Sequence, residues 1–185
     1  MTSRLLVDKI EGKTTANTVQ MPSGSIIQVT HAIKTDTFST NNRSVNDGFV
    51  DTGLNCSITP KFASSLIMIN ASICIGSSIG SFAYFRVMKN VGGGSYSMSA
   101  EPDADGARPL VHGFEYDANN AGNGPNAQSF VAVESLNTTS VVNFKVQMGG
   151  SGTSAITMNK SSRDNASTDY DGRSSSRIVL MEVAQ

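Results

Sequence analysis

Charge is scarce in this chain. Of 185 residues only 16% are Asp, Glu, Lys or Arg, against about a quarter in an average soluble domain. The formal net charge is -1, so no basic field draws in nucleic acid or an anionic lipid surface. Neither nucleic-acid binding nor membrane insertion is expected. No apolar run approaches the roughly 20 residues of a membrane-spanning helix, and Met1-Thr2-Ser3-Arg4 does not open a signal peptide. Synthesis in a cytoplasm is expected, with export only inside a particle.

Other shortages remove whole classes of chemistry. There are two histidines, His31 and His112, and neither has a partner at a diagnostic spacing. His-Glu-x-x-His, Cys-x-x-Cys and Gly-x-Ser-x-Gly are all missing, which removes the parts that a zinc hydrolase, a thiol redox protein or a serine hydrolase requires. No cofactor is expected. Gly92-Gly93-Gly94 is followed by Ser95-Tyr96 rather than Lys-Ser/Thr, and no helix follows to present amides to a phosphate, so it reads as a turn. Asp103, Asp105 and Gly106, and separately Asp164, Asp169 and Asp171, have the look of calcium-loop fragments. They lack the remaining ligands and terminal bidentate Glu of such a loop, and solvated turns account for them more simply. A glycan-cleaving enzyme would need two carboxylates paired in one groove, whereas these sit in separate turns. A non-enzymatic protein is the expectation.

Two cysteines, Cys56 and Cys74, suit small buried hydrophobes. Cys56 shares a strand face with Leu54 and Ile58, while Cys74 lies opposite Ile73 and Ile75. The sulfurs should point apart, and free thiols are expected.

What the chain has in abundance is Ser, Thr, Asn and Gly around short β-branched runs. The strongest is 64–75, where Ile67, Ile69, Ala71, Ile73 and Ile75 make one face and Leu66, Met68, Asn70, Ser72 and Cys74 the other. Alternation of this kind argues strand. Further strands are read at 25–33, 35–40, 50–58, 81–89, 109–116, 128–136, 140–149, 155–158 and 177–183, with long breaks at 90–108, 117–127 and 159–176. Of these, Val142, Phe144, Val146 and Met148 mark the clearest dry face, and Asn137-Thr138-Thr139 is expected to join 128–136 and 140–149 as a hairpin. Nine or ten short strands without a helix make an all-β protein, an antiparallel β-sandwich of jelly-roll type.

Two regions are greasier than a lone sandwich needs. The strand 177–183 is apolar on both faces, which fits either a subunit interface, with Ile178 and Leu180 alongside Leu66 and Met68, or a place in the middle of the sandwich. Residues 1–24 carry Leu5, Leu6, Val7 and Ile10 and are then too polar to fold alone. They read as an extended arm that docks on something, or as a frayed terminus. Residues 25–185 form the head. Carbohydrate recognition stays open: Tyr96, Tyr116 and Tyr170 fall in or beside loops rich in Asn and Asp, with Asp103, Asp105, Asn119, Asn120 and Asp169 as companion residues of candidate receptor loops. Tryptophan, the strongest sugar platform, is absent.

Several segments carry a family likeness. Leu5-Leu6-Val7-Asp8-Lys9-Ile10 leading to Val19-Gln20-Met21-Pro22-Ser23-Gly24-Ser25-Ile26-Ile27-Gln28-Val29 resembles the opening of small tail-fibre or fibre-like virion structural proteins of marine tailed bacteriophages, cyanophages among them. Thr35-Asp36-Thr37-Phe38-Ser39, Gly53-Leu54-Asn55-Cys56-Ser57-Ile58-Thr59-Pro60, Ser64-Ser65-Leu66-Ile67-Met68-Ile69 and the closing Ser176-Arg177-Ile178-Val179-Leu180-Met181-Glu182-Val183 look like strands of the same family. The likeness covers most of the chain, least around 90–128 and 159–175. It implies a virion protein assembled in the host cytoplasm, a homotrimer with an arm attached to another virion protein and a distal head exposed for host attachment. A host cell-surface glycan would be its outer partner. Three chains could bury each other's Leu5, Val7 and Ile10 where one cannot, and three copies of a loop on one rim give weak contacts avidity. A capsid decoration or tail adaptor with a purely structural role is the alternative.

Overall fold

The computed structural model describes residues 21–41, 48–78, 80–117, 124–152, 155–166 and 171–185. In chain order its strands are β1 (Ile26–Lys34), β2 (Phe38–Thr40), β3 (Val50–Ile58), β4 (Leu66–Gly76), β5 (Phe82–Val91), β6 (Ser97–Met98), β7 (Gly113–Tyr116), β8 (Asn126–Ser135), β9 (Val142–Ser151), β10 (Ile156–Met158) and β11 (Ser176–Val183). All pairings are antiparallel.

The first sheet runs β1-β11-β4, with β8 on the far side of β4 and the short β10 and β2 continuing beside the end of β4. The second runs β3-β9-β5, with β7 and β6 along the far side of β5. Among the long strands the pairing is nested. β5 pairs with β7, β4 with β8, β3 with β9 and β1 with β11. One long double strand wrapped around a core pairs its halves in this order, and it is the winding of a jelly roll. The expected all-β sandwich is what the structure has.

Its core comes from the alternation already visible in the sequence. Ile67, Ile69, Ala71, Ile73 and Ile75 of β4 are wholly buried. Val142, Phe144, Val146 and Met148 of β9 meet them from the opposite sheet, with Leu54, Cys56 and Ile58 of β3 and Phe85 and Val87 of β5. Both cysteines are buried and free. Cys56 faces the core from the second sheet, whereas Cys74 lies on the outer side of the first, its Sγ donating to the Ser175 carbonyl at 3.4 Å. Burial pushes the Cys56 thiol up, against the opposing hydrogen bonds of Thr30 and the Ser57 backbone.

Two expectations change. Residues 128–136 and 140–149 are not a hairpin, because β8 pairs with β4 in one sheet and β9 with β3 and β5 in the other. The connection through Asn137, which takes a positive φ of 48°, crosses between the sheets; a short polar side chain makes that backbone affordable. Alternation says which face of a strand is dry but does not name its neighbour. The second change concerns β11. It is hydrogen-bonded on both edges, to β1 and to β4, and Ile178 and Leu180 are fully buried inside the sandwich. They are core residues, unavailable to another subunit. The outward members of β11 are Val179, Met181 and Val183, one residue out of phase. The dyad β6 lies inside the break read at 90–108.

Candidate binding faces

The sandwich presents two unlike outer faces. On the first sheet, strand register lines up apolar side chains across four strands. Val29 of β1 faces Met181 of β11, Met181 faces Met68 of β4, and Met68 faces Val133 of β8. The next row is His31, Val179, Asn70 and Val131, and beyond the first lie Val183 and Leu66. A sheet face turned to water usually carries polar residues in these places. Here Val29, Val131 and Val133 are 54%, 57% and 55% exposed. Leu66 and Met68, the other two head residues expected at a subunit interface, belong to this face and are half-buried.

The second sheet's outer face is divided. Across β3, β9 and the distal part of β5 it is polar and hydrogen-bonded. Lys145 Nζ meets Asp51 at 2.8 Å, Gln147 donates to Asp51 at 2.7 Å, Arg86 donates to Gln147 at 2.9 Å, and Asn143 donates to Asn90 at 2.9 Å. Burial would raise the Asp51 pKa, but the bonds from Lys145 and Gln147 outweigh it and hold the carboxyl below its ordinary value. Toward the start of β5 the character changes to aromatic. Phe82 and Tyr84 are paired in register with Tyr116 and Phe114 of β7. Phe82 stacks on Tyr116 at a centroid distance of 4.4 Å and on Tyr84 at 6.0 Å, while Phe114 leans across Phe82 at 6.1 Å and Tyr84 at 6.4 Å.

β7 can lie this close because its first residue is glycine. A Cβ at Gly113 would come within 2.5 Å of the Phe85 ring beneath it. Three of the rings border a pocket of about 230 Å³ whose walls are Phe82, Tyr84, Pro109, Val111 and Phe114, with Arg108 beside them; Tyr116 stands one step back, stacked on Phe82. Arg108 is ion-paired with Asp105, and both side chains are about three-quarters exposed, at 73% and 76%. Burial pushes the Tyr84 hydroxyl up, so it stays a neutral donor.

Of the candidate receptor residues, Tyr116 stacks on Phe82 and Asp105 pairs with Arg108, so each touches one wall of the pocket from outside it. Asp103 lies exposed in the same loop before β7. Tyr96 is elsewhere, in the connection between β5 and β6, with Lys145 Nζ 3.9 Å over its ring. Leu5, Val7, Ile10, Asn119, Asn120, Asp169 and Tyr170 lie outside the described residues. Phe82, Tyr84, Phe114 and Arg108 were missed by sequence reasoning. The available signal was parity: in 81–89 the residues Phe82, Tyr84 and Arg86 alternate with Ala83, Phe85 and Val87, so the larger share of the rings points away from the core.

The acidic turns are occupied by cations of the chain itself. Asp164 pairs with Lys160 at 2.8 Å and Arg173 at 2.5 Å, and Asp171 with Arg163 at 2.9 Å. Hydrogen bonds from Lys160 to Asp164, and from Ser161 and Arg163 to Asp171, hold both carboxyls below the ordinary carboxylate range. Among the described residues no group of three or more His, Cys, Asp or Glu is placed to hold a metal ion, and no helix is long and apolar enough to cross a membrane. His112 accepts a hydrogen bond from the Val87 N–H at Nδ1 (2.9 Å) and lies 4.1 Å from the Phe130 ring, a packed position.

Comparison with known proteins adds little to this. No family model matches the chain, and no curated protein does. Among solved structures it is similar to the infectious bursal disease virus VP2 subviral particle, at 11% identity and a TM-score of 0.35. The match covers 87% of this chain and 39% of that one, so the chain spans about two fifths of that protein's length.

Proposed function

We propose that the protein is a structural subunit of a tailed-phage virion, a fibre-like protein whose head assembles as a homotrimer and whose residues 1–24 attach it to another virion protein. The observation that carries the reading is the apolar row Val29–Met181–Met68–Val133 on the outside of the first sheet. Three of its neighbours in the same sheet, Ile26, Ile33 and Val131, are also more than half exposed. Contiguous apolar surface of this kind marks an interaction site on a soluble protein. A second copy supplies a matching apolar surface, and a homo-oligomer repeats the same contact by symmetry. The face requires only another copy; three-fold symmetry and the phage assignment come from the likeness of the strand segments to fibre-like virion proteins. Jelly rolls are also a recurrent architecture of viral structural proteins.

Sedimentation of the full chain tests the assembly directly. A trimer is expected at micromolar concentration, and the double variant Met68→Lys/Val133→Lys should sediment as a folded monomer, because an ammonium group buried between subunits is strongly disfavoured. A well-behaved wild-type monomer refutes the proposal. Immunogold labelling of particles locates the subunit: a tail or fibre position is expected. A capsid position, with host adsorption unaffected by its loss, would make it a decoration protein instead.

A further inference from the structure

We propose that the pocket framed by β5, β7 and the loop before β7 binds one neutral pyranose ring of a glycan, with the rings of Phe82, Tyr84 and Phe114 as its platform and Arg108, ion-paired with Asp105, as its hydroxyl-binding rim. The inference rests on the proposed function, with the head exposed on the particle as the likeness to fibre-like virion proteins implies.

Three observations select this ligand class. Phe114 and Tyr116 keep 54% and 44% of their surface exposed, although aromatic side chains are the groups that gain most from burial. Tyr116 is held there by stacking on Phe82 and Phe114 by a tilted contact with the same ring, with the glycine that opens β7 letting the strand lie close, so the platform exists before any ligand arrives. A ring face carries negative quadrupole density and attracts the weakly positive C–H edge of another group; one face of a pyranose presents such C–H bonds, while its rim presents hydroxyls.

Size is the second observation. About 230 Å³ falls below the roughly 300–1,000 Å³ of sites that enclose a drug-sized molecule. The space suits a single ring with the rest of a chain lying outside.

The third is the charge at the rim. Arg108 donates to Asp105 through its guanidinium, so the rim offers donors and an acceptor side by side with their charges balanced. Vicinal hydroxyls, each a donor and an acceptor, fit that pair. A phosphate or carboxylate does not, since it would have to displace Asp105 and face its charge. A nucleobase would stack equally well, but the net charge of -1 provides no phosphate-binding field for the strand that bears it.

Two measurements on the full-length protein test the site. The first is a titration with methyl hexopyranosides of the gluco, galacto and manno series at high millimolar concentration, followed by the ring resonances of phenylalanine and tyrosine. Shifts confined to Phe82, Tyr84, Phe114 and Tyr116 are expected. The second is a glycan array carrying neutral and sialylated oligosaccharides. Neutral glycans should bind, and Phe114→Ala and Arg108→Ala should each weaken binding about tenfold, the size of one lost ring or charged contact. Both side chains are more than half exposed, so the fold should be retained, which a melting curve checks. Still ring resonances, a preference for sialylated glycans, or binding untouched by the Phe114 and Arg108 variants would overturn the proposal. So would capture of a protein on this face in place of a glycan. None of those results bears on the subunit interface, which sedimentation tests separately.

Discussion

Glu182 is the buried polar group whose removal should cost most. It is the last inward-facing residue of β11 and is wholly buried. Its Oε1 accepts the backbone N–H groups of Lys61 (2.7 Å) and Phe62 (3.1 Å), in the segment that carries the chain from β3 in one sheet to β4 in the other. Its Oε2 accepts the Gln28 side-chain amide of β1 at 2.5 Å, and that amide also donates to the Thr59 carbonyl at 2.7 Å. One carboxyl thus ties β11 and the edge strand β1 of the first sheet to a crossing between sheets. In Glu182→Ala two backbone N–H groups lose their acceptor at about 1–3 kcal/mol each, and the lost methylenes leave a void at roughly 1 kcal/mol. A total of about 3–7 kcal/mol is a large part of the ~5–15 kcal/mol that holds a domain folded. For a chain of this size it corresponds to a fall of about 6–28 °C in Tm. Glu182→Gln keeps an oxygen for Lys61 and Phe62 but sets its NH2 against the Gln28 NH2. Gln28 must then flip and give up Thr59, a loss of about 1–2 kcal/mol. Urea denaturation should rank wild type above Glu182→Gln above Glu182→Ala, at similar m-values. An alanine variant within about 1 kcal/mol of wild type, or a glutamine variant weaker than alanine, would refute the argument.

Two further outcomes follow from the same structure. Burial holds the His112 pKa below its ordinary 6.5, against the upward pull of the Ala100 and Ser99 backbone and of Glu134; Arg86 adds to the lowering. The unfolded chain therefore takes up this proton first, and the stability His112 contributes is complete above about pH 6.5 and is lost as pH falls through the lower folded value. The lowered aspartates, Asp36, Asp51, Asp164 and Asp171, act only below their ordinary 3.8. Denaturation between pH 7 and about 4.5 should show a decline that His112→Asn abolishes; an unchanged slope in that variant would be the contrary result. Deleting residues 1–20 preserves the bonds between Gly24 N–H and the Ala184 carbonyl and between Ala184 N–H and the Ser25 carbonyl, which anchor the start of the head to the end of β11. The truncated head should melt like wild type yet fail to enter particles, and normal incorporation would exclude an attachment role for the arm.

How far the sequence reached can be judged strand by strand. Alternation over Leu54–Cys56–Ile58, Ile67–Ile75 and Val142–Met148 separated dry from wet faces correctly, because side chains of a strand alternate whatever the strand pairs with. The bounds of β3 were read as they stand. It also implied that the cysteines lie on unlike faces. Partnership was another matter. A strand with a dry face is equally content in either sheet, so 128–136 and 140–149 passed for a hairpin although they sit in opposite layers. For β11, two apolar faces fit an interface or a central strand alike, and only the pairing on both its edges puts Ile178 and Leu180 in the core.

The aromatic pocket shows the same limit from the functional side. Phe82 and Tyr116 are far apart along the chain, and only the antiparallel register of β5 with β7 stacks their rings and sets the Arg108–Asp105 pair beside them. What the sequence alone determined about this protein is that it is all-β, which side chains turn inward, and which kinds of catalysis lack their parts. The tertiary structure decided which strands are neighbours, and hence which outward side chains gather into an apolar row on one face and a ring platform on the other. The reason is that alternation is a local property of the backbone, whereas strand pairing is settled by long-range closure of the chain around one shared core.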